Sequence, residues 1–376
     1  MSTKKKLSLL FLLASLGQQS FAENQFLKKF ENIDIDSSIT LGGDHVNNNQ
    51  VKARVFGITG NIAFEYPLTE TLEFELDFGA NLEVGSNNSF IIDEYAPRRQ
   101  WRLGHAYFDW EPVEWFELAL GAVDQSDYNS PILLTGAAFL AAELELSYDF
   151  TPDHKIFFKF EQAIPNNLNL AQRIGIVEDG TPLFTMSTIG LDMSGDLLSV
   201  DLQAMRWSFN NLSTGAAFQS QYLGNSVSGG SQVNSDFLYG FSGYNVSGGL
   251  KFFMSDSLGL NFMGQYLYND KAPDNRNLGH IATAGLIFGH YEPYIGSFRV
   301  ESDASPGFYN TNRTGHNNME GNILGLHYRN PHASSDNKLA SDISANIEYV
   351  DSTPINPNAF QSNTQKISFS IEMPIK

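Results

Sequence analysis

From Leu72 to Val84 the chain alternates strictly, with Leu72, Phe74, Leu76, Phe78, Ala80, Leu82 and Val84 set against Glu73, Glu75, Asp77, Gly79, Asn81 and Glu83. A period of two belongs to an extended strand with one oily and one wet face. Similar segments recur at roughly residues 33–43, 52–66, 71–85, 99–110, 114–124, 137–149, 154–163, 183–193, 197–208, 238–253, 257–268, 280–290, 293–302, 321–329, 337–350 and 365–374, which predicts 16 strands. Only residues 23–32, with Phe26 and Phe30 four apart, fit a short helix as well as an extended lead.

The links between strands alternate in length. Short turns are expected at Pro67–Glu70, Glu111–Val113, Thr151–Asp153, Ser194–Asp196, Ser255–Asp256, Glu292–Pro293 and, more loosely, Asn330–Asn337. Longer polar loops fall between them, at residues 44–50, 86–98, 125–136, 165–182, 209–236, 269–279, 302–320 and 351–364. Short turns at one end and long loops at the other mark a membrane barrel, whereas sandwich connections carry no such parity. The predicted fold is therefore all-β, an antiparallel transmembrane β-barrel of about 16 strands with both termini periplasmic. Aromatic residues beside the turns, Tyr66, Trp110, Trp115, Tyr148, Phe150, Phe252, Phe253, Tyr291 and Tyr294, suit an interfacial girdle.

The first residues supply an address. Lys4, Lys5 and Lys6 precede an apolar run from Leu7 to Leu16 that ends in Ser20-Phe21-Ala22, the layout of a secretory signal. The expected organisation is a signal peptide at 1–22, a short periplasmic segment at 23–32 and a barrel over 33–376, in the cell outer membrane. Removing three lysines from 23 Lys+Arg leaves 20 against 42 Asp+Glu, a net charge of -22 that argues against nucleic acid as a partner. There is no cysteine, so disulfides, thiolate metal sites and cysteine nucleophiles are excluded together. The longest apolar stretch after the signal, Pro131 to Ala142, is too short for a spanning helix, so any crossing must be made by strands.

Sending Leu, Ile, Phe and Val outward collects acids inside, among them Glu73, Glu75, Asp77, Glu83, Glu117, Glu143, Glu145 and Glu161. The inward bases are fewer: Lys155, Lys159, Lys251, Arg299, Arg329 and Lys366. A channel walled by carboxylates enriches cations, so cation preference is expected. The loop Gln125–Gly136 is expected to fold inward as a constriction, because its Pro131-Ile132-Leu133-Leu134 segment is apolar. Asp124 and Asp127 at its start would then face a basic cluster, Arg98, Arg99 and Arg102, across the passage. Trp101, Tyr107, Phe157 and Trp207 are candidate inward aromatics.

At its approach to that loop, in Leu120-Gly121-Ala122-Val123-Asp124-Gln125, and in its whole architecture, the chain resembles the porin superfamily of the Gram-negative outer membrane. The resemblance implies a 16-stranded barrel whose inward loop lies between strands five and six, passive diffusion of small hydrophilic solutes, and commonly a homotrimer. Its partners would be outer-membrane lipid, lipopolysaccharide and the barrel-assembly machinery. The last residues, Met373-Pro374-Ile375-Lys376, depart from the terminal aromatic usual in such barrels.

Other functions compete. A sugar-selective channel would use inward aromatics for stacking, and an adhesive barrel would carry no current. An enzyme needs an activated nucleophile, but the histidines are scattered, Gly-x-Ser-x-Gly is absent, and only His105 and Asp109 lie close on one inward face. No enzyme activity and no cofactor is expected, with Ca²⁺ the one ion that the carboxylates of Glu73, Glu75 and Asp77 or of Glu143 and Glu145 would suit.

Overall fold

The computed structural model describes residues 34–88, 95–126, 130–166, 180–255, 257–329 and 343–375. The predicted signal peptide, the segment at 23–32, Asp127 and most of the link after residue 329 lie outside them. The strands are β1 (Asp34–Asn47), β2 (Lys52–Pro67), β3 (Leu72–Asn87), β4 (Arg99–Val113), β5 (Phe116–Asp124), β6 (Ala138–Thr151), β7 (His154–Ile164) and β8 (Leu183–Met193). They continue as β9 (Leu198–Asn210), β10 (Phe241–Ser255), β11 (Leu258–Asn269), β12 (Leu278–Phe288), β13 (Tyr291–Val300), β14 (Met319–Arg329), β15 (Ser344–Pro354) and β16 (Thr364–Pro374). Each pairs antiparallel with its neighbours in sequence, and β1 pairs with β16 (Ser38↔Pro374, Asp44↔Ser368), so the sheet closes as a 16-stranded barrel. Closure leaves no edge with unpaired backbone groups. No helix among the described residues is long and apolar enough to cross a membrane. The helix α1 (Thr214–Tyr222) sits in the link between β9 and β10, capped by Ser213, whose Oγ accepts from Ala216 N.

The period of two resolves into two faces. On the outer face Leu82, Leu140, Ile189, Ile295, Leu324 and Ile347 are exposed, with no second layer over them among the described residues. Trp110, Trp115, Tyr148, Phe150 and Tyr291 ring the end that bears the short turns. There Trp110 and Trp115 each stand edge-on to Phe116, and Tyr291 meets Tyr328 at 5.4 Å.

Two local irregularities change which residues face out. Between β3 and β4 the register steps from Asp77↔His105 to Phe78↔Leu103, so Gly104 is an extra residue. Such a bulge inverts the inside–outside parity of the strand beyond it. Trp101, expected inside, therefore lies outside, 72% exposed and stacked on Phe78 at 5.1 Å. At the β12–β13 link the turn is made by Gly289 and His290, with Gly289 at φ +57 and its N–H donating to Ser257 O. A left-handed φ suits glycine, and this moves the turn upstream of Glu292 and Pro293, which the sequence pattern had placed in it. Similarly β4 runs on to Val113, so its turn falls at residues 114–115. Length parity also has an exception, because the β1–β2 link spans only residues 48–51.

The buried core lies within the barrel, in the half towards the long loops. Phe139, Phe184, Met186, Met205, Trp207, Phe209, Leu267, Phe298 and Val300 point inward there and pack on Ile132, Leu133 and Leu134. This accounts for the strands whose loop-side ends are apolar at both parities. If the exposed outer band meets hydrocarbon, Ile189→Arg at the middle of β8 should lower stability by about 2–4 kcal/mol in vesicles, as a charge at the bilayer midplane does. Urea unfolding of the refolded protein measures this, and an unchanged midpoint would contradict it.

Candidate functional site

The interior is divided by two loops that meet inside the barrel. In the first, residues 130–136, Ile132 and Leu133 are fully buried. Ile132 N donates to Gln265 Oε1 (3.1 Å) on β11, and Asn245 Nδ2 on β10 donates to Ser130 Oγ (2.7 Å). Those strands are five and four places along the sheet from β6, so the loop reaches across the interior rather than over the rim.

The second loop, residues 301–318, locks onto it. Thr135 N donates to Tyr309 O (2.8 Å), Thr311 N to Pro131 O (2.9 Å), and Ser305 Oγ to Ile132 O (2.8 Å). Buried backbone outside a ladder needs side-chain partners. Asparagines provide them here. Asn225 Nδ2 donates to Ser302 O (2.8 Å) and Ser305 O (2.9 Å), Asn317 Nδ2 donates to Ser302 O (3.2 Å), and Asn310 Nδ2 braces Asn317 Oδ1 (2.7 Å). His316 and Asn318 take positive φ, which lets the loop turn back into the barrel.

The charges inside fall into paired and unpaired groups. On β6 and β7, Lys159 Nζ bonds Glu143 Oε1 (3.1 Å) and Glu145 Oε2 (3.1 Å), and Lys155 also pairs with Glu145. Glu161, fully buried, accepts from Gln125 Nε2 (3.1 Å). Arg313 extends from the second loop to grip Glu348 on β15 through Nε (2.9 and 3.0 Å) and Nη2 (2.5 Å). Tyr294 Oη donates to the same carboxylate (2.8 Å). Its ring lies flat across Gly325, where any Cβ would collide with it. Lys366 approaches Asp44 at 3.8 Å. By contrast Glu65, Glu73, Asp109 and Glu117, on β2 to β5, make no ion pair among the described residues.

Glu73, Glu75, Asp77, Glu83, Glu117, Glu143, Glu145, Lys159 and Glu161 all take the parity of the inner face. Glu75 accepts from Tyr107 Oη (2.6 Å) and lies 3.9 Å from His105 Nε2, so His105 is committed to the wall rather than to Asp109. Glu83 accepts from Arg98 N (2.8 Å) and Asn81 Nδ2 (2.8 Å).

Other residues are placed differently from expectation. Arg299 faces outward with Ile295 and pairs with Glu320, because Phe298 and Val300 on the opposite parity turn in to the buried core. Tyr294 likewise faces inward instead of joining the girdle. Asp124 has outer parity, and its Oδ1 caps Ser126 N (2.9 Å). Arg102 donates to Asn61 Oδ1 (3.1 Å) and stands on the strand adjacent to that of Asp124. Arg98, Arg99 and Arg102 therefore do not face Asp124 across a passage. Leu133 does lie in the inserted loop. Among the described residues no three His, Cys, Asp or Glu side chains gather to hold a metal ion, and Glu143 and Glu145 are occupied by lysines.

The second loop and Arg313 escaped the sequence reading. The stretch 302–320 is rich in Ser, Asn and Gly, a composition that reads as a solvated loop, and only the cluster Asn310, Asn317 and Asn318 hints at backbone that needs internal partners.

The fold is similar to that of solved OprB and OmpF structures. OprB of Pseudomonas putida, solved at high pH, matches with TM-score 0.57 at 14% identity over 93% of this chain and 96% of that chain. Its low-pH structure gives 0.51 at 11%, covering 93% and 94%. OmpF of Salmonella typhi, in complex with daunomycin, gives 0.53 at 11%, covering 92% and 99%. No family model matches the chain, and no curated protein matches it.

Removing one partner of a buried ion pair strands the other. Glu348→Ala should thus lower stability by about 3–5 kcal/mol, while Arg313→Met with Glu348→Leu should recover most of that loss. Denaturant unfolding in detergent compares the three proteins.

Proposed function

We propose that the protein is an outer-membrane pore for small hydrophilic solutes, reached through the signal at 1–22, with the short turns and both termini on the periplasmic side. One observation carries the reading: a closed sheet with a bare apolar outer face encloses carboxylates, Glu65, Glu73, Asp109 and Glu117, that no base neutralises among the described residues. Carboxyl groups without a paired base need water, and a barrel of this strand number leaves room for it. The fold likeness to OprB and OmpF supports the same reading.

Beside the described parts of the loops, a cavity of about 210 Å³ is lined by Thr40, Asp44, Thr59, Asn81 and Glu83 on β1 to β3. Passage is proposed to follow the acidic wall of β1 to β5, with Glu73, Glu75, Asp77, Glu83 and Glu117 lining it and potassium preferred over chloride. The preference is moderate, since Glu143, Glu145 and Glu348 are already paired with bases. A stacking ladder for sugars is not favoured, because Phe157 and Trp207 are covered by neighbouring side chains.

Planar-bilayer recording tests the proposal. A KCl gradient should give a reversal potential on the cation side, shifted towards zero by Glu73→Gln with Glu117→Gln. Replacing the apolar anchors by Ile132→Ser and Leu133→Ser should loosen the inserted loop and raise single-channel conductance. A reversal potential favouring chloride contradicts the selectivity, and a folded protein without current contradicts the pore.

A further inference from the structure

Opposite the acidic wall, below the inserted loops, lies a cavity of about 490 Å³. Its walls come from β10 to β15 and its lining includes Pro131 of the first loop and Arg313 of the second. Volumes of this order suit small ligands. Its character differs from the rest of the interior. Lys251 on β10 and Arg329 on β14 both line it, and neither makes an ion pair among the described residues. Arg313 is neutralised by Glu348, and the one acid on the wall, Glu292, accepts from Asn261 Nδ2 (2.6 Å). With Arg313 and Glu348 cancelling, the lining itself sets Lys251 and Arg329, with His327 beside them, against the single carboxylate of Glu292, while Asp201 on the neighbouring strand β9 acts on Lys251 from outside the lining. Thr283 and Asn346 add a hydroxyl and an amide to the same surface.

From this arrangement we infer that the cavity is a binding site for small hydroxylated monocarboxylates, the sugar-acid class. The carboxylate is held by Lys251 and Arg329, whose charge it complements, and the hydroxyl groups by Thr283 and Asn346. A neutral polyol lacks the charge that these two cations attract. A cation is repelled by Lys251 and Arg329 and keeps to the opposite wall. The site rests on the pore reading for its access but not for its chemistry.

The test uses gluconate as probe and glucose as the uncharged control. Gluconate added to a single channel in KCl should interrupt the current at concentrations where glucose does not. In Lys251→Gln with Arg329→Gln the half-blocking concentration should rise about tenfold, as loss of charge-assisted hydrogen bonds predicts. Equal block by glucose and gluconate, or block indifferent to the two substitutions, overturns the site while leaving the pore intact. Titration calorimetry of the refolded protein in detergent gives a reading independent of current. Heat of gluconate binding that disappears in the double variant supports the site even in a barrel that carries no current, and absence of binding to the unsubstituted protein overturns it.

Discussion

The hydrogen-bonded seam between β1 and β16 is the contact on which the rest depends. With Asp44 opposite Ser368 and Ser38 opposite Pro374, the first strand finds its partner in the last and the sheet has no free edge. In hydrocarbon an unpaired peptide group costs several kcal/mol, which restricts spanning structures to helices and closed sheets. Once the ring is closed, alternate side chains are forced to opposite sides, and each side can be fitted to a different solvent. The outer side is held to one rule, an apolar band bordered by aromatic residues at the end of the short turns. The inner side is free to vary.

That freedom is used unevenly. The loop-side half of the interior is filled as a soluble core would be, by Phe139, Phe184, Trp207 and Phe298 around Ile132 and Leu133. Backbone carbonyls carried in by the second loop accept from Asn225 and Asn317, and Asn310 in turn braces the Asn317 side chain. The rest of the interior has unlike walls. Glu65, Glu73, Asp109 and Glu117, without an ion pair among the described residues, stand on β2 to β5, and a cavity lined by Lys251 and Arg329 stands on the far side, while Glu348 is bound to Arg313 and Glu143 and Glu145 to Lys155 and Lys159.

The strand count, the antiparallel order and the alternation of Leu72 to Val84 could be read directly from the chain, because hydrophobic period is a local property. Readings failed where a distant contact decided a local orientation. Arg299 was expected inside because Phe298 and Val300 are apolar, and nothing local tells lipid from an internal core as their destination. Trp101 and His105 ended on opposite faces because one extra residue, Gly104, sits between them. Glu292 and Pro293 look like a turn, yet Gly289 makes it. The inserted loop at 130–136 was legible from its oily tetrapeptide, whereas its partner at 301–318 was not, since buried asparagines and exposed ones look alike in sequence.

The central claim is that the two faces of each strand meet different solvents. The chain has no cysteine, so single cysteines carrying a spin label can be placed one at a time from Leu76 to Glu83 in vesicle-reconstituted protein. Labels at Leu76, Phe78, Ala80 and Leu82 should relax with lipid-soluble oxygen, and those at Asp77, Gly79, Asn81 and Glu83 with a water-soluble nickel chelate. Equal shielding of both sets from both reagents would contradict the account.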